Sequence, residues 1–548
     1  MKEFNQGIPR VAYFCMEYGL HEEFQTYAGG LGILAGDHLK TAYDLGVPMV
    51  GIGILWRYGY TTQLIGSDGR PYDNYPELHY DFLQDTGIKI KVRVRDKDVT
   101  CKVWMVDKYG NVPLYLLDTD LPENEDRWIT GHLYGGNNET RIAQEIVLGI
   151  GGVRALRALG IETDVYHFNE GHAVLAGIEL IREQMEQGMK FEEAWEKVRK
   201  QIIFTTHTPV LAGNESHALG ALEYMGAFNG LNWDQMYRLG GEPFSMTVAG
   251  LRLARIANAV AQLHGITARK MWKHVSQASP IISITNGVHT GTWRDEGVKR
   301  AYEAGQDLWE PHMQAKQELI DEVAIRTGIR LNPNALLIGF ARRAAPYKRA
   351  NLIFHDQSVI EPLLREGKIQ LIFSGKAHPH DDNGKNIISS VVAMSRRYPN
   401  SVVFLQNYDM KIGRLLTRGC DVWLNNPRRP QEASGTSGMK SAMNGVLNLS
   451  VLDGWWPEGC KHGVTGWQIG SAYEGPGQDE HDLRSLYQVL LEEVVPTYYF
   501  NRPRWLEMMR ASISMAHYQF SSERMLKEYY VRMYLPAEIY WKQVAAGK

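Results

Sequence analysis

Three stretches of this 548-residue chain combine residue types and spacings that carry chemistry. The first is Gly29-Gly30-Leu31-Gly32, where missing side chains open backbone N–H groups and a helix start to an anion. It lacks the G-x-G-x-x-G spacing of dinucleotide-binding turns, which argues against NAD; a ligand-free strand-to-helix turn is the plain alternative. The second, Arg342-Arg343-Ala344-Ala345-Pro346-Tyr347-Lys348-Arg349, sets four cations after the apolar run 336–340. At the end of a buried strand such a run is a phosphate or oxyanion cradle rather than a solvated face. The third, 431–441, places small residues before a helix that carries Lys440. A lysine near a positive helix end has its ammonium disfavoured, which suits Schiff-base chemistry, while spacing alone leaves open a solvent lysine on a loop-helix turn.

Elements that would position these stretches alternate between short apolar runs and helical patterns, the signature of helix-covered parallel sheets. Strands are expected at 11–18, 47–56, 165–169, 202–207 and 281–287, with helices at 32–45, 139–159, 173–187 and 191–201 and a long amphipathic helix over 251–272. Residues 88–118 alternate polar and apolar types and predict an antiparallel insertion, turning at 96–98, that decorates the sheet. Gly, Asn and Pro at 327–333 mark a boundary. Five further strands follow, at 336–342, 369–375, 402–406, 421–425 and 446–451, and the tail 521–544 reads as helix, kinked or broken at Pro536. The fold class expected is α/β: an N-terminal Rossmann-like domain over 1–326, a C-terminal one over 327–520, a helical segment over 521–548, and a ligand in the interdomain cleft.

Composition excludes several classes. With 59 Lys+Arg against 62 Asp+Glu, no whole-protein field favours nucleic acid or an anionic membrane. No run of 18 apolar residues occurs and residues 1–10 lack a signal-peptide core, so a cytoplasmic protein is expected. The four cysteines lie far apart without C-x-x-C, which fits a reducing compartment. His378, His380, Asp381 and Asp382 have metal-ligand side chains, but a surface loop accounts for them and no metal is expected. Trp455-Trp456 is a candidate sugar platform, with packing as the alternative.

In order along nearly the whole chain, VAYFCMEYGL, AGGLGILAGDHLK, FNEGHAVLAGIEL, FTTHTP, ITNGVHTGTW, ARRAAPYKRA, FSGKAHP and EASGTSGMK resemble the motifs of the α-glucan (glycogen, starch and maltodextrin) phosphorylases, in a short form without the regulatory extension. The resemblance implies the GT-B architecture, with a C-terminal helix returning to the N-terminal domain, and pyridoxal 5'-phosphate as cofactor. By motif, Lys440 would hold the cofactor, and Thr436, Arg342 and the Gly30 backbone its phosphate; Arg343 and Lys348 would hold the substrate phosphate. Glu432, Ser434 and Gly435 would bind glucose hydroxyls, with Asn286 and His172 at the 6-hydroxyl. Partners implied are an α-1,4-glucan and inorganic phosphate, and a homodimer is a family expectation. Departures are Ser437 and Gly438 where long members have GTGNMK, Ala345-Pro346 where they have a His-Glu pair, and Arg342 where they have lysine. They bear on fine control and on hydrogen-bond geometry, since a planar guanidinium is not a point charge.

Phosphorolysis beside a cofactor phosphate needs cations. Two groups of about -1.5 to -2 charge, ~5 Å apart at an effective dielectric of ~20, repel by on the order of 10 kcal/mol, and Arg342, Arg343, Lys348, the glycine-loop amides and a shared proton are the compensation available. In the family mechanism the substrate phosphate protonates the glycosidic oxygen and then attacks C1 with retention. A glycosidase would instead need two carboxylates flanking the bond, whereas Glu432 is the only one in these three stretches. Two other readings remain: a nucleotide-sugar-dependent glucan synthase of GT-B fold, against which Lys440 argues, and a non-catalytic glucan-binding protein, against which the joint presence of Lys440, Arg343, Lys348 and Glu432 argues.

Overall fold

A computed structural model describes residues 7–535. Its contacts divide the chain into two units, Met1–Tyr60 with Tyr75–Thr285 and Ser522–Lys548, and Thr61–Asn74 with Asn286–Ser521. The contact boundary therefore falls at 285/286 rather than near 327. The helices Glu296–Glu303 and Trp309–Thr327 belong to the second unit because Val298, Leu308, Leu319 and Val323 bury into its cores. The hairpin Thr62–Ile65/Pro71–Asn74 also belongs there, tied by Lys385 to Asp73 at 2.7 Å and by the Gln63 amide to the backbone of Ala377.

The first unit is built on a nine-stranded sheet. Seven strands run parallel in the order Ile281–Ser283, Ile256–Ala259, Ile202–Thr205, Val165–Asn169, Val11–Phe14, Met49–Ile54, Leu114–Asp118. Lys97–Val106 and Gln84–Val94 then add antiparallel. The expected insertion thus extends the main sheet, and it turns at Arg95, whose φ is 59°, and Asp96. A second correction concerns 251–272. Helix Met246–Leu253 ends, the fully buried Ala257, Asn258 and Ala259 pair with strands on both sides, and a new helix covers Gln262–Trp272. Alanine-rich sequence favours helix, but sheet pairing and burial outweigh propensity.

After the second unit the chain returns. Helix Ser522–Tyr529 buries Met525, Leu526 and Tyr529, and the turn beyond it buries Met533 and Tyr534, in the first unit's core. Tyr534 Oη lies 2.7 Å from His167 Nδ1 and 3.0 Å from His38 Nε2. The expected break at Pro536 lies outside the described residues.

Six parallel strands form the second unit's sheet, in the order Val402–Leu405, Ile369–Ser374, Leu336–Ala341, Val422–Asn425, Leu447–Val451, Gly466–Ile469. Numbered along the chain this is 3-2-1-4-5-6, the doubly wound order, whose direction reverses between Leu336–Ala341 and Val422–Asn425. The sixth strand was not anticipated; its Trp467 and Ile469 are buried, but it is four residues long and opens on Gly466, which disguises it. Lys316, Asp421 and His312 form a buried polar knot at the reversal, with Lys316 Nζ 2.7 Å from Asp421 Oδ2 and His312 Nε2 2.8 Å from Oδ1. Among the described residues no helix is long and apolar enough to cross a membrane.

Candidate active site

The loops after the first and fourth strands of the second sheet leave at the reversal point, where open α/β sheets bind ligands, and they carry the second and third stretches. Arg342 follows Ala341 directly. Its Nη2 donates to Glu432 Oε2 at 2.5 Å and its Nη1 to Ser437 Oγ at 3.2 Å. Lys348 Nζ donates to the same Glu432 oxygen at 3.0 Å. All three side chains are at most a tenth exposed. Burial alone would raise the Glu432 carboxyl, but Arg342 and Lys348 outweigh it and hold it at about 2. Arg342 Nε and Ser434 Oγ are buried and have no hydrogen-bond partner within the protein. Two polar groups left this way in a cation-rich cluster are poised for an incoming ligand.

Backbone geometry fixes these residues. Gly435 has φ 81°, a left-handed conformation suited to glycine. A Cβ there would lie 3.3 Å from Arg342 Nη2. Gly375 lets the second strand's end touch the first, since a Cβ would stand 2.0 Å from the Arg342 carbonyl oxygen. Arg349, buried with φ 53°, bonds to the carbonyls of Asn426 and Pro427 and to Asp479 and Asp482, tying the two loops together. Thr436 precedes helix Ser437–Met443, and its carbonyl accepts the N–H of Met439 and of Lys440. Lys440 is buried in this helix, its Nζ 3.8 Å from the centroid of the Trp293 ring. Arg343 is exposed, whereas Asn286 is buried at 3% exposure. The structure thus gathers Arg342, Lys348, Glu432, Ser434 and Gly435 into one cluster.

Gly30 and His172 lie in the first unit, each following one of two adjacent strands, Val11–Phe14 and Val165–Asn169. Gly30 opens helix Gly30–Leu45, and a Cβ on it would meet nothing within 4 Å. Two of the loop's amides are not open to an anion: buried Glu17 accepts the N–H of Gly29 and Gly32 at 3.1 and 2.8 Å, and that of the preceding Ala28 at 3.2 Å. Glycine-loop compensation therefore shrinks to fewer donors than the sequence implied. Burial lowers His172 to about 4, so its imidazole is neutral at pH 7.

Two other sequence candidates resolve into structure. Asp381 caps helix Asp382–Arg397 through the Gly384 N–H, as a loop residue would. Trp455 and Trp456 are at most 1% exposed, 5.1 Å apart, with Trp455 against Phe520, so they pack and offer no sugar platform. Among the described residues, Glu145, Glu215 and His217 are the ligand-type groups that come close enough to share an ion. There the hydrogen bonds to Glu145 and Glu215 outweigh burial and bring His217 up to about 9, so an imidazolium meets the carboxylate charge. Asp453, whose carboxylate accepts the Glu432 N–H at 2.9 Å, was not singled out from the sequence, and Arg349 was read only as one cation of the basic stretch, not as the tie between the two loops.

Comparison with known proteins shows the family. Residues 297–457 match the carbohydrate phosphorylase family model. Maltodextrin phosphorylase of Thermococcus litoralis is 42% identical over 97% of this chain and 72% of its own length. Glycogen phosphorylase of Mycobacterium bovis is 39% identical over 99% of the chain and 73% of its own length. An uncharacterized protein of Methanocaldococcus jannaschii is 37% identical over 95% of the chain and 99% of its own length. The chain belongs to the carbohydrate phosphorylase family. Its α/β fold, two Rossmann-like units, is that expected of the GT-B class.

Proposed function

We propose that this chain cleaves α-1,4-glucans from their non-reducing ends with inorganic phosphate, releasing glucose 1-phosphate with retention at C1, and that it uses pyridoxal 5'-phosphate held on Lys440. The observation that carries the reading is the convergence of Arg342 and Lys348 on buried Glu432 at the sheet reversal. The residues fit the cofactor: a buried amine on Lys440, and a buried guanidinium N–H on Arg342 without a partner. When bound, the cofactor supplies a phosphate group that supports the substrate phosphate as acid and then nucleophile.

The chain's own residues do the rest. Arg342 and Lys348 provide the positive charge without which a second phosphate would not enter. Arg343, exposed after the same strand, adds a third cation for the substrate phosphate. Glu432 keeps its charge at any working pH, so it orients cations and accepts glucose hydroxyls but does not donate a proton. Ser434 and Gly435 line the same sugar, and Thr436 and Gly30 are assigned to the cofactor phosphate, Asn286 and His172 to the 6-hydroxyl. A neutral His172 suits a hydroxyl partner, because it can accept or donate. A nucleotide-sugar synthase gains nothing from the buried lysine and is disfavoured. Borohydride reduction of the purified protein followed by peptide mapping tests the reading: a pyridoxyl adduct on Lys440 is expected, and a protein without chromophore that cannot be reconstituted would overturn it.

A further inference from the structure

The turn after the fifth strand of the second sheet grips the sugar-phosphate loop. Strand Leu447–Val451 ends, and Asp453, fully buried, points its carboxylate back at the loop after the fourth strand. Oδ2 accepts the Glu432 N–H at 2.9 Å and Oδ1 the Gly454 N–H at 2.8 Å. Two residues on, Trp455 N–H donates to the Ser434 carbonyl at 2.9 Å. Between them Gly454, at φ 57°, comes so close that a Cβ would stand 2.2 Å from the Ser434 carbonyl oxygen and 3.1 Å from Glu432 Cγ. The backbone on both sides of Ala433 is therefore held from one turn. Glu432 is aimed at Arg342 and Lys348, and Ser434 keeps an unpartnered hydroxyl.

We propose that Asp453 is a positioning residue of the sugar-phosphate site, clamping the Glu432–Ser434 loop through the Glu432 N–H with Gly454 and Trp455 completing the grip. This rests on the function proposed above. The carboxyl group suits the task because both of its oxygens accept from backbone N–H groups, and it does so as the full carboxylate above about pH 7, where the test is run. An asparagine would turn an NH2 toward one of them, a donor facing a donor. Asp453 is not a second catalytic carboxylate of the glycosidase kind, since its oxygens are committed to two amides and its side chain is sealed from solvent.

The test compares holoenzyme of wild type, Asp453→Asn and Gly454→Ala. Steady-state kinetics in the synthetic direction are combined with calorimetric binding of glucose 1-phosphate, well below the melting temperature. Loosening the loop should raise KM and Kd for glucose 1-phosphate by about tenfold, the usual effect of one unmet buried hydrogen bond, while KM for the glucan acceptor stays within about twofold. Gly454→Ala should give the same split with the carboxylate intact, and it keeps the test open if Asp453→Asn fails to fold. A merely structural role would lower kcat through a smaller active fraction and leave both KM values and Kd unchanged; that result overturns the proposal. If wild type itself neither binds nor turns over glucose 1-phosphate, the proposed function falls and the clamp with it. Equal affinity in all three proteins removes the clamp alone.

Discussion

Replacing Glu432 by glutamine removes the negative side chain that, among the described residues, is in contact with both Arg342 and Lys348. Gln keeps the shape but leaves two buried cations facing an amide. A carboxyl held at about 2 instead of 4.5 is stabilised by about 3 kcal/mol in its charged form. Removing one partner of a buried ion pair costs about 3–5 kcal/mol, which agrees. For a unit of this size, about 2–4 °C per kcal/mol gives a melting-temperature loss of roughly 6–12 °C. The assay is thermal unfolding by differential scanning fluorimetry with and without inorganic phosphate. Phosphate should restore more stability to Glu432→Gln than to wild type, because it meets cations that Glu432 no longer neutralises. A loss below about 2 °C, or an equal gain from phosphate in both proteins, would refute the electrostatic reasoning, since both values follow from one buried charge cluster.

Arg343→Ala should mainly raise the phosphate KM, with the glucan KM little changed, in initial-rate measurements; an unchanged phosphate KM removes its assigned role. Lys316→Ala should destabilise the second unit by about 3–5 kcal/mol in urea unfolding, because it strands Asp421 fully buried beside His312. A loss within about 0.5 kcal/mol would mean the knot carries no net stability. For Asp453, burial and then the Glu432 charge raise the carboxyl to about 7. The folded state thus holds a proton that the unfolded chain releases near 4, so stability from this group is fully present below pH 4 and declines as pH rises to 7. Asp453→Asn escapes that decline, and the variant should gain on wild type by up to about 4 kcal/mol from pH 4 to 7. A stability difference that is flat with pH would show that the carboxyl is not raised.

Much of this was legible in sequence because strands and chemistry were written in the same places. The apolar run 336–341 and the mostly apolar 369–374 announced buried parallel strands, and the cations at 342–349 sat where such strands end. The Leu251–Trp272 stretch misled because alanine and leucine suit both a helix and a buried strand, and only neighbouring strands decide between them. Contacts at long separation were beyond reach for the same reason. Nothing local tells that Asp453 serves Glu432, 21 residues away, that Glu17 occupies two amides of the glycine loop, or that hairpin Thr62–Asn74 joins the second unit. The Trp455-Trp456 pair shows the converse, a suggestive dipeptide whose role is packing.

Phosphorus NMR of cofactor-reconstituted protein with maltoheptaose and inorganic phosphate tests the central claim most directly. The arrangement of Arg342, Lys348, Glu432 and Lys440 predicts loss of the inorganic phosphate signal and growth of α-glucose 1-phosphate. Release of free glucose or maltose with phosphate unconsumed, or elongation of the glucan only when a nucleotide sugar is supplied, would contradict it.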